Sequence, residues 1–253
     1  MSVDWAPLRT ELAHWRQAGI DLPIWWRDDD ATEVTPALQE LARLATELGL
    51  PVHLAVVPRD AEPSLTEVCT AHSALIPMVH GWAHENHAPF GQKKAEFNHF
   101  RPGQQREISD GLVRLEALFG PQLLKIFVPP WNRISDDIII ILQQVGYLGL
   151  STFTPRSARY AAPGLIQINT HIDPINWRGG GGLRDTKAIV GELVTLLKER
   201  RSGATDREEP LGILTHHLVH DDAIWEFTKA CITELLSGGA RGCNLRDMGG
   251  NLP

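Results

Sequence analysis

What the chain lacks narrows its function first. It has only three cysteines in 253 residues, Cys69, Cys231 and Cys243. They show no metal-binding spacing and cannot all pair, as expected in a reducing compartment. No apolar run approaches the ~18 residues of a membrane span. The opening MSVDWAPLRTELAHWRQAG has no cationic start leading into an apolar stretch, so no secretory leader and a cytoplasmic location are expected. Basic residues are in deficit: 24 Lys and Arg against 31 Asp and Glu give a net charge of −7. That argues against nucleic-acid binding, which needs a basic face to meet phosphates. No G-x-G-x-x-G follows the first strand-like segment and no G-K-[ST] occurs, which removes the common dinucleotide and triphosphate cradles. There is no G-x-S-x-G and no cysteine with an ordered partner, so a covalent hydrolytic route is disfavoured. Tyrosine is scarce, at two residues, but there are 11 His and 8 Trp, and function is to be sought there.

Apolar residues make up 43% of the chain, enough for a sizeable core. Trp5, Leu8, Leu12 and Trp15 recur at helical spacing, which predicts an amphipathic helix over 4–18 that packs on the body. Strand-like runs follow at 22–27, 52–58, 76–84 (turning polar at its end), 123–130, 147–153, 165–172 and 211–217. Helical segments are expected between them: 35–48 with Gly49 as terminator, 64–73, 106–119, 135–146 with Ser135 as N-cap, 186–200, and a last helix over 221–236. Gly179–Gly182 reads as a flexible loop and the tail after Ser237 as irregular. Seven strands mostly alternating with helices imply crossover connections and a parallel sheet. The length and the lack of a linker favour one domain over 1–253, an α/β chain closed as a (β/α) barrel, over an open doubly wound sheet.

In such a barrel the chemistry sits at the C-terminal ends of the strands, where the polar clusters fall: Arg27–Asp30, His80–His87, Pro129–Arg133, Asp173–Trp177 and Thr215–His220. Asp28, Asp29 and Asp30 repel one another at the end of an apolar strand, and a cation would relieve that repulsion. Two H-x-x-x-H pairs occur, His80/His84 and His216/His220. Two histidines and a distant carboxylate make a three-ligand set with an open position, as a catalytic divalent metal requires. Such a metal lowers the pKa of bound water to ~7, and a neighbouring carboxylate can take the proton. Trp82, Trp131 and Trp177 suit stacking on sugar C–H faces, or simply line the barrel mouth. The 85–105 segment, with Lys93 and Lys94, reads as a lid or as a passive loop. His53 and His72 read as structural.

These clusters, in this order, resemble those of the NodB-like polysaccharide deacetylases, carbohydrate esterase family 4. The T-F-D-D-G motif of that family is similar to Arg27-Asp28-Asp29-Asp30-Ala31, its H-[ST]-x-x-H to His80-Gly81-Trp82-Ala83-His84, and its R-x-P-[YW] to Val128-Pro129-Pro130-Trp131. Its D-x-x-D-W is similar to Asp173-Pro174-Ile175-Asn176-Trp177, and its L-x-H to Leu214-Thr215-His216. Val128 stands where the family has Arg, and Asn176 where it has Asp. The resemblance spans about 20–220 and implies a divergent member with a distorted (β/α)7 barrel of NodB-homology type. It further implies a catalytic base at Asp29, a general acid at His216, and metal ligands at Asp30, His80 and His84. The substrate contacts it implies are Trp82, Pro130, Trp131 and Trp177. A shift of one to Asp28 and Asp29, or from His216 to His217, stays open, because one residue reverses the face of a strand. Arg27 shares a face with Asp29 and is placed to orient it. The implied cofactor is one divalent ion, Zn²⁺ with Co²⁺ or Ni²⁺ as alternatives. The implied reaction is deacetylation of a sugar or sugar-linked amide. Hydrolysis of another C–N bond and non-catalytic carbohydrate binding are the competing readings. The expected partner is a small molecule or oligosaccharide, not nucleic acid or membrane.

Overall fold

The computed structural model describes residues 3–247; the expected domain of 1–253 extends past them at both ends, 1–2 and 248–253 lying outside the described residues. Nine strands form one sheet: β1 (Pro23–Ala31), β2 (Val52–Val56), β3 (Leu75–His80), β4 (Ile126–Val128), β5 (Gly149–Leu150), β6 (Tyr160–Ala162), β7 (Leu165–Gln167), β8 (Leu211–Thr215) and β9 (Arg241–Gly242). Their order is β6-β7-β5-β4-β3-β2-β1-β8, with β9 beside β1. Every pairing is parallel except β6 with β7. The continuous ladder is an open path. Past β7, however, an isolated parallel bridge joins Ile172 to Ile213 of β8, with His171 N–H donating to Gly212 O at 2.8 Å and Leu214 N–H to Ile172 O at 2.8 Å.

Among the described residues seven helices accompany the sheet: α1 (Ala6–Gln17), α2 (Pro36–Leu48), α3 (Ser64–Ala71), α4 (Gln104–Phe119), α5 (Asp136–Val145), α6 (Thr186–Ser202) and α7 (Asp222–Ser237). The local signals for α2 work as expected: Thr35 Oγ1 accepts from Leu38 N–H at 3.1 Å, and Gly49 ends the helix at φ 63°. Asp221 caps α7 through Ile224 N–H at 2.8 Å. Ser135 stands at the N-cap of α5 with extended backbone, but its side chain makes no cap bond. On α1 the buried residues include Leu8, Leu12 and Trp15, and the Trp15 indole donates to Leu197 O of α6 at 3.2 Å.

Alternation along the strands sorts the apolar side chains into two clusters. Ile24 and Trp26 of β1 join the large cluster between sheet and helices, whereas Trp25 joins a smaller one with Ala55, Ile76, Met78, Ile126, Val128, Ile166, Ile168 and Leu245. Leu245 corrects the reading of the tail. After Ser237 the chain adds β9 to the N-terminal end of β1, then sends Leu245 into the smaller cluster. His53 holds it there: its Nδ1–H donates to Trp26 O at 3.0 Å and its Nε2 accepts from Leu245 N–H at 3.1 Å. Burial pushes the His53 pKa down to about 4, which matches the neutral ring that this pair of bonds requires.

Candidate active site

The strand ends converge on a cleft of about 1050 Å³ whose wall includes Asp29, Asp30, His80, His84, Trp131 and His216. In a regular strand Asp29 and Asp30 would point to opposite faces. Here Asp28 pairs with Leu54 and Ala31 with Val56, so three steps on β1 match two on β2. That extra residue is a β-bulge, and Asp30 absorbs it at φ 78°. The bulge is what lets two adjacent carboxylates line one cleft. Backbone strain marks the whole site. The non-glycine residues with positive φ among the described residues are Asp30, His84 (54°), Trp131 (57°), Asn132 (56°) and Thr154 (79°), and all five line the cleft. Such conformations cost about 1–3 kcal/mol each and concentrate at functional sites.

Asp30, His80 and His84 place their ligand atoms within 4.8 Å of one another. Asp30 Oδ1 lies 3.0 Å from His80 Nε2 and 3.2 Å from His84 Nε2. His80 Nδ1 meets Val128 O at 3.0 Å. With Nδ1–H donated to that carbonyl, Nε2 is the ring atom free to ligate an ion shared with the Asp30 carboxylate, in place of the direct contact the two side chains make with each other. The donor set of two imidazoles and one carboxylate thus fits a divalent transition ion. Burial alone would raise the Asp30 pKa, but His80, His216 and His84 outweigh it and hold the carboxyl well below its ordinary value.

Asp29 is buried beside this triad and clamped by Arg27, which donates through Nε to Oδ1 at 2.9 Å and through Nη2 to Oδ2 at 3.0 Å. The Arg27 guanidinium also donates to Ser151 O and Oγ, Thr152 O and Asn132 Oδ1. The counter-charge to Asp29 thus comes from β1 itself, two residues before the carboxylate it holds.

Asp28 and His217 are brought together elsewhere. Asp28 accepts from Thr215 Oγ1 at 2.6 Å and from His217 N–H at 3.0 Å, and its Oδ1 lies 2.5 Å from His217 Nδ1. Both side chains are buried and neither lines the cleft. His216 does line it, edge-on to Trp177 with ring centroids 4.8 Å apart. Asn176 is not the partner of His216: its Oδ1 accepts from Gly179 N–H at 3.0 Å and caps a short turn at Trp177–Gly179. Asp173 is a buried carboxylate on the same wall as His216. It accepts from Ile175 N–H and from the Trp177 indole, both at 2.8 Å. Burial raises its pKa, and His216 pulls the other way.

Trp131 and Trp177 line the cleft, whereas Trp82 and Pro130 are not among its lining residues. Trp82 packs against the main core, and Pro130 is buried behind Gly81, where a Cβ would strike its ring. Glu96 was not signalled by any motif. Its carboxylate, buried on the 85–103 loop, accepts from Ala83 N–H at 2.8 Å and Trp82 N–H at 3.2 Å, bracing the turn between His80 and His84. Only its acceptor role in the fold explains it, since nothing in its sequence neighbourhood marks it.

No protein-family model matches the sequence, and no curated protein matches it. Solved structures do. The Bc1960 peptidoglycan N-acetylglucosamine deacetylase matches at 15% identity and TM-score 0.58, over 90% of this chain and 88% of its own. The family 4 carbohydrate esterase from Streptomyces lividans, solved with acetate, matches at 15% identity and TM-score 0.54, over 87% and 91%. BA3943, a CE4 family pseudoenzyme from Bacillus anthracis, matches at 13% identity and TM-score 0.56, over 90% of this chain and 65% of its own. The chain therefore has an α/β fold built on a parallel sheet. It is the fold of the NodB-like polysaccharide deacetylases of carbohydrate esterase family 4, as the five motifs imply. Among the described residues no helix is long and apolar enough to cross a membrane.

Proposed function

We propose that this protein is a metal-dependent deacetylase that hydrolyses an N-acetyl group of a sugar or sugar-linked substrate and releases acetate. The observation that carries the reading is the pairing of a clamped carboxylate, Asp29, with the Asp30–His80–His84 triad in one cleft, with His216 on the same wall. The bridge between Ile172 and Ile213 supports a sheet curled into a distorted (β/α)7 barrel, which would gather the strand ends around that cleft.

Asp30, His80 and His84 would hold the ion, Zn²⁺ in first place and Co²⁺ or Ni²⁺ as alternatives. When bound, it lowers the pKa of a coordinated water and polarises the substrate carbonyl. Asp29, held in one orientation by Arg27, takes a proton from the attacking water. The backbone N–H of Trp131, on the turn with positive φ, donates to the developing oxyanion. His216 gives its proton to the departing amine. Trp131 and Trp177 flank the sugar ring. The acidic chain and its three free cysteines favour a cytoplasmic metabolite over a wall polymer as substrate.

The test is acetate release from acetylated amino sugars by the metal-loaded chain, before and after chelation. Release that stops on chelation and returns with added metal is the expected result. Release of ammonia or another amine without acetate would point to a different C–N bond, and sugar binding without turnover to a non-catalytic relative. The role of Asp173 has its own test. Asp173 holds Ile175 N–H and the Trp177 indole through its two oxygens, and Asp173→Asn leaves a single acceptor for the two donors. The KM for the acetylated sugar is expected to rise as Trp177 loses its hold, with the metal content unchanged. An unchanged KM in initial-rate kinetics would remove Asp173 from the mechanism.

A further inference from the structure

The wall of the cleft is unbalanced in charge. Four carboxylates line it, and each is already engaged. Asp29 is held by Arg27, Asp30 by the two histidines, Asp173 by Ile175 N–H and the Trp177 indole, and Glu192 by Arg184 at 2.8 Å. Five cations line the same wall, and Arg184 alone among them is paired. Lys93, Lys94, Arg133 and Arg178 have no carboxylate oxygen within 4.0 Å among the described residues. Arg133 Nη1 donates to Lys94 O at 2.6 Å, which ties the two-lysine stretch of the 85–103 loop to the turn carrying Trp131. Trp131 in turn stacks near His84, with ring centroids 4.3 Å apart. Arg178 lines the same cleft and follows Trp177, whose ring meets His216. The chain as a whole carries −7, so these unpaired cations are not the overflow of a generally basic surface. A bound divalent ion would add to the same sign. Five cations against four carboxylates, with Asp29 already neutralised by Arg27 from behind the wall, leave a positive excess, and such an excess raises the encounter rate of an oppositely charged ligand, a gain that salt erodes.

We propose that the substrate carries an anionic group, a carboxylate or a phosphate, alongside its acetamide, and that Lys93, Lys94, Arg133 and Arg178 receive it. This rests on the deacetylase reading above and adds the substrate class to it. A neutral sugar would make no use of four uncompensated cations around the cleft.

The test compares N-acetylglucosamine, its 6-phosphate and its N-acetylated uronic acid on the full metal-loaded chain, by acetate release and by calorimetric binding. At least one anionic sugar is expected to exceed the neutral one by ~10-fold or more in kcat/KM and to bind more tightly. The ratio should shrink toward one in ~0.5 M salt and in the Lys93→Ala/Lys94→Ala and Arg178→Ala variants. A larger gain for the phosphate assigns that group, and a larger gain for the uronate assigns the carboxylate. Equal turnover and equal binding of neutral and anionic sugars would overturn the proposal while leaving the deacetylase reading intact. So would an anionic advantage that survives all these substitutions, since it would belong to the metal. If no sugar is deacetylated, the deacetylase reading fails. Calorimetry alone then decides this one: salt-sensitive anion preference lost in the variants supports it, and equal binding sinks it.

Discussion

Asp29→Asn is expected to lower turnover by a factor on the order of 10²–10⁴ while leaving the metal content unchanged. The substitution keeps the shape of the side chain and removes only its charge and basicity. The ligand set does not include it: the atoms that converge come from Asp30, His80 and His84. Some stability should be lost as well. Both carboxylate oxygens accept from Arg27, and an amide can offer only one acceptor to that fork. One guanidinium N–H is left facing an amide N–H₂, a loss of about 1–3 kcal/mol. Acetate release and metal content measured on the same preparation separate the two effects. Loss of the metal together with activity would make Asp29 a ligand and put Asp30 in doubt.

Arg27→Leu is expected to destabilise the fold by about 3–5 kcal/mol. Arg27 is fully buried, and six hydrogen bonds from its guanidinium tie Asp29, Ser151, Thr152 and Asn132 together. Taking it away leaves the Asp29 carboxylate buried without its counter-charge and takes the guanidinium donor from Ser151 O and Asn132 Oδ1, while Thr152 O keeps its bonds from Thr170. Arg27→Lys keeps the charge but not the planar fork, so it should recover only part of the loss. The pairing itself is tested by Arg27→Leu/Asp29→Leu, which removes both charges. That variant should be more stable than Arg27→Leu alone. Denaturant titration of the four proteins checks this. A double variant no more stable than the single one would mean that the cost lies in packing and not in the stranded carboxylate.

Much of this arrangement is legible in the residues. Periodicity and caps place the helices, since Thr35 and Gly49 act through contacts within a turn or two. The Arg27–Asp29 pairing follows from strand alternation. Other features depend on long-range packing that no local pattern records. The bulge at Asp28–Ala31 is set by the register against Leu54 and Val56, and a straight strand would have split Asp29 from Asp30. The choice between His216 and His217 hangs on where Asp28 points, and Asp28 holds His217 away from the cleft. Asn176 occupies the motif position where the resemblance has an Asp, yet its side chain closes a local turn, and the buried carboxylate on that wall is Asp173. Leu245 and Glu96 reach their places from distant segments, the one sealing the smaller cluster and the other bracing the histidine turn.

All of these roles depend on Asp30, His80 and His84 holding one divalent ion in the cleft. Metal content per chain, measured on the wild type and on His80→Ala after identical loading and dialysis, tests that claim most directly. The account predicts about one equivalent in the wild type and a small fraction of that in His80→Ala, with acetate release lost in parallel; equal metal in the two proteins would contradict it.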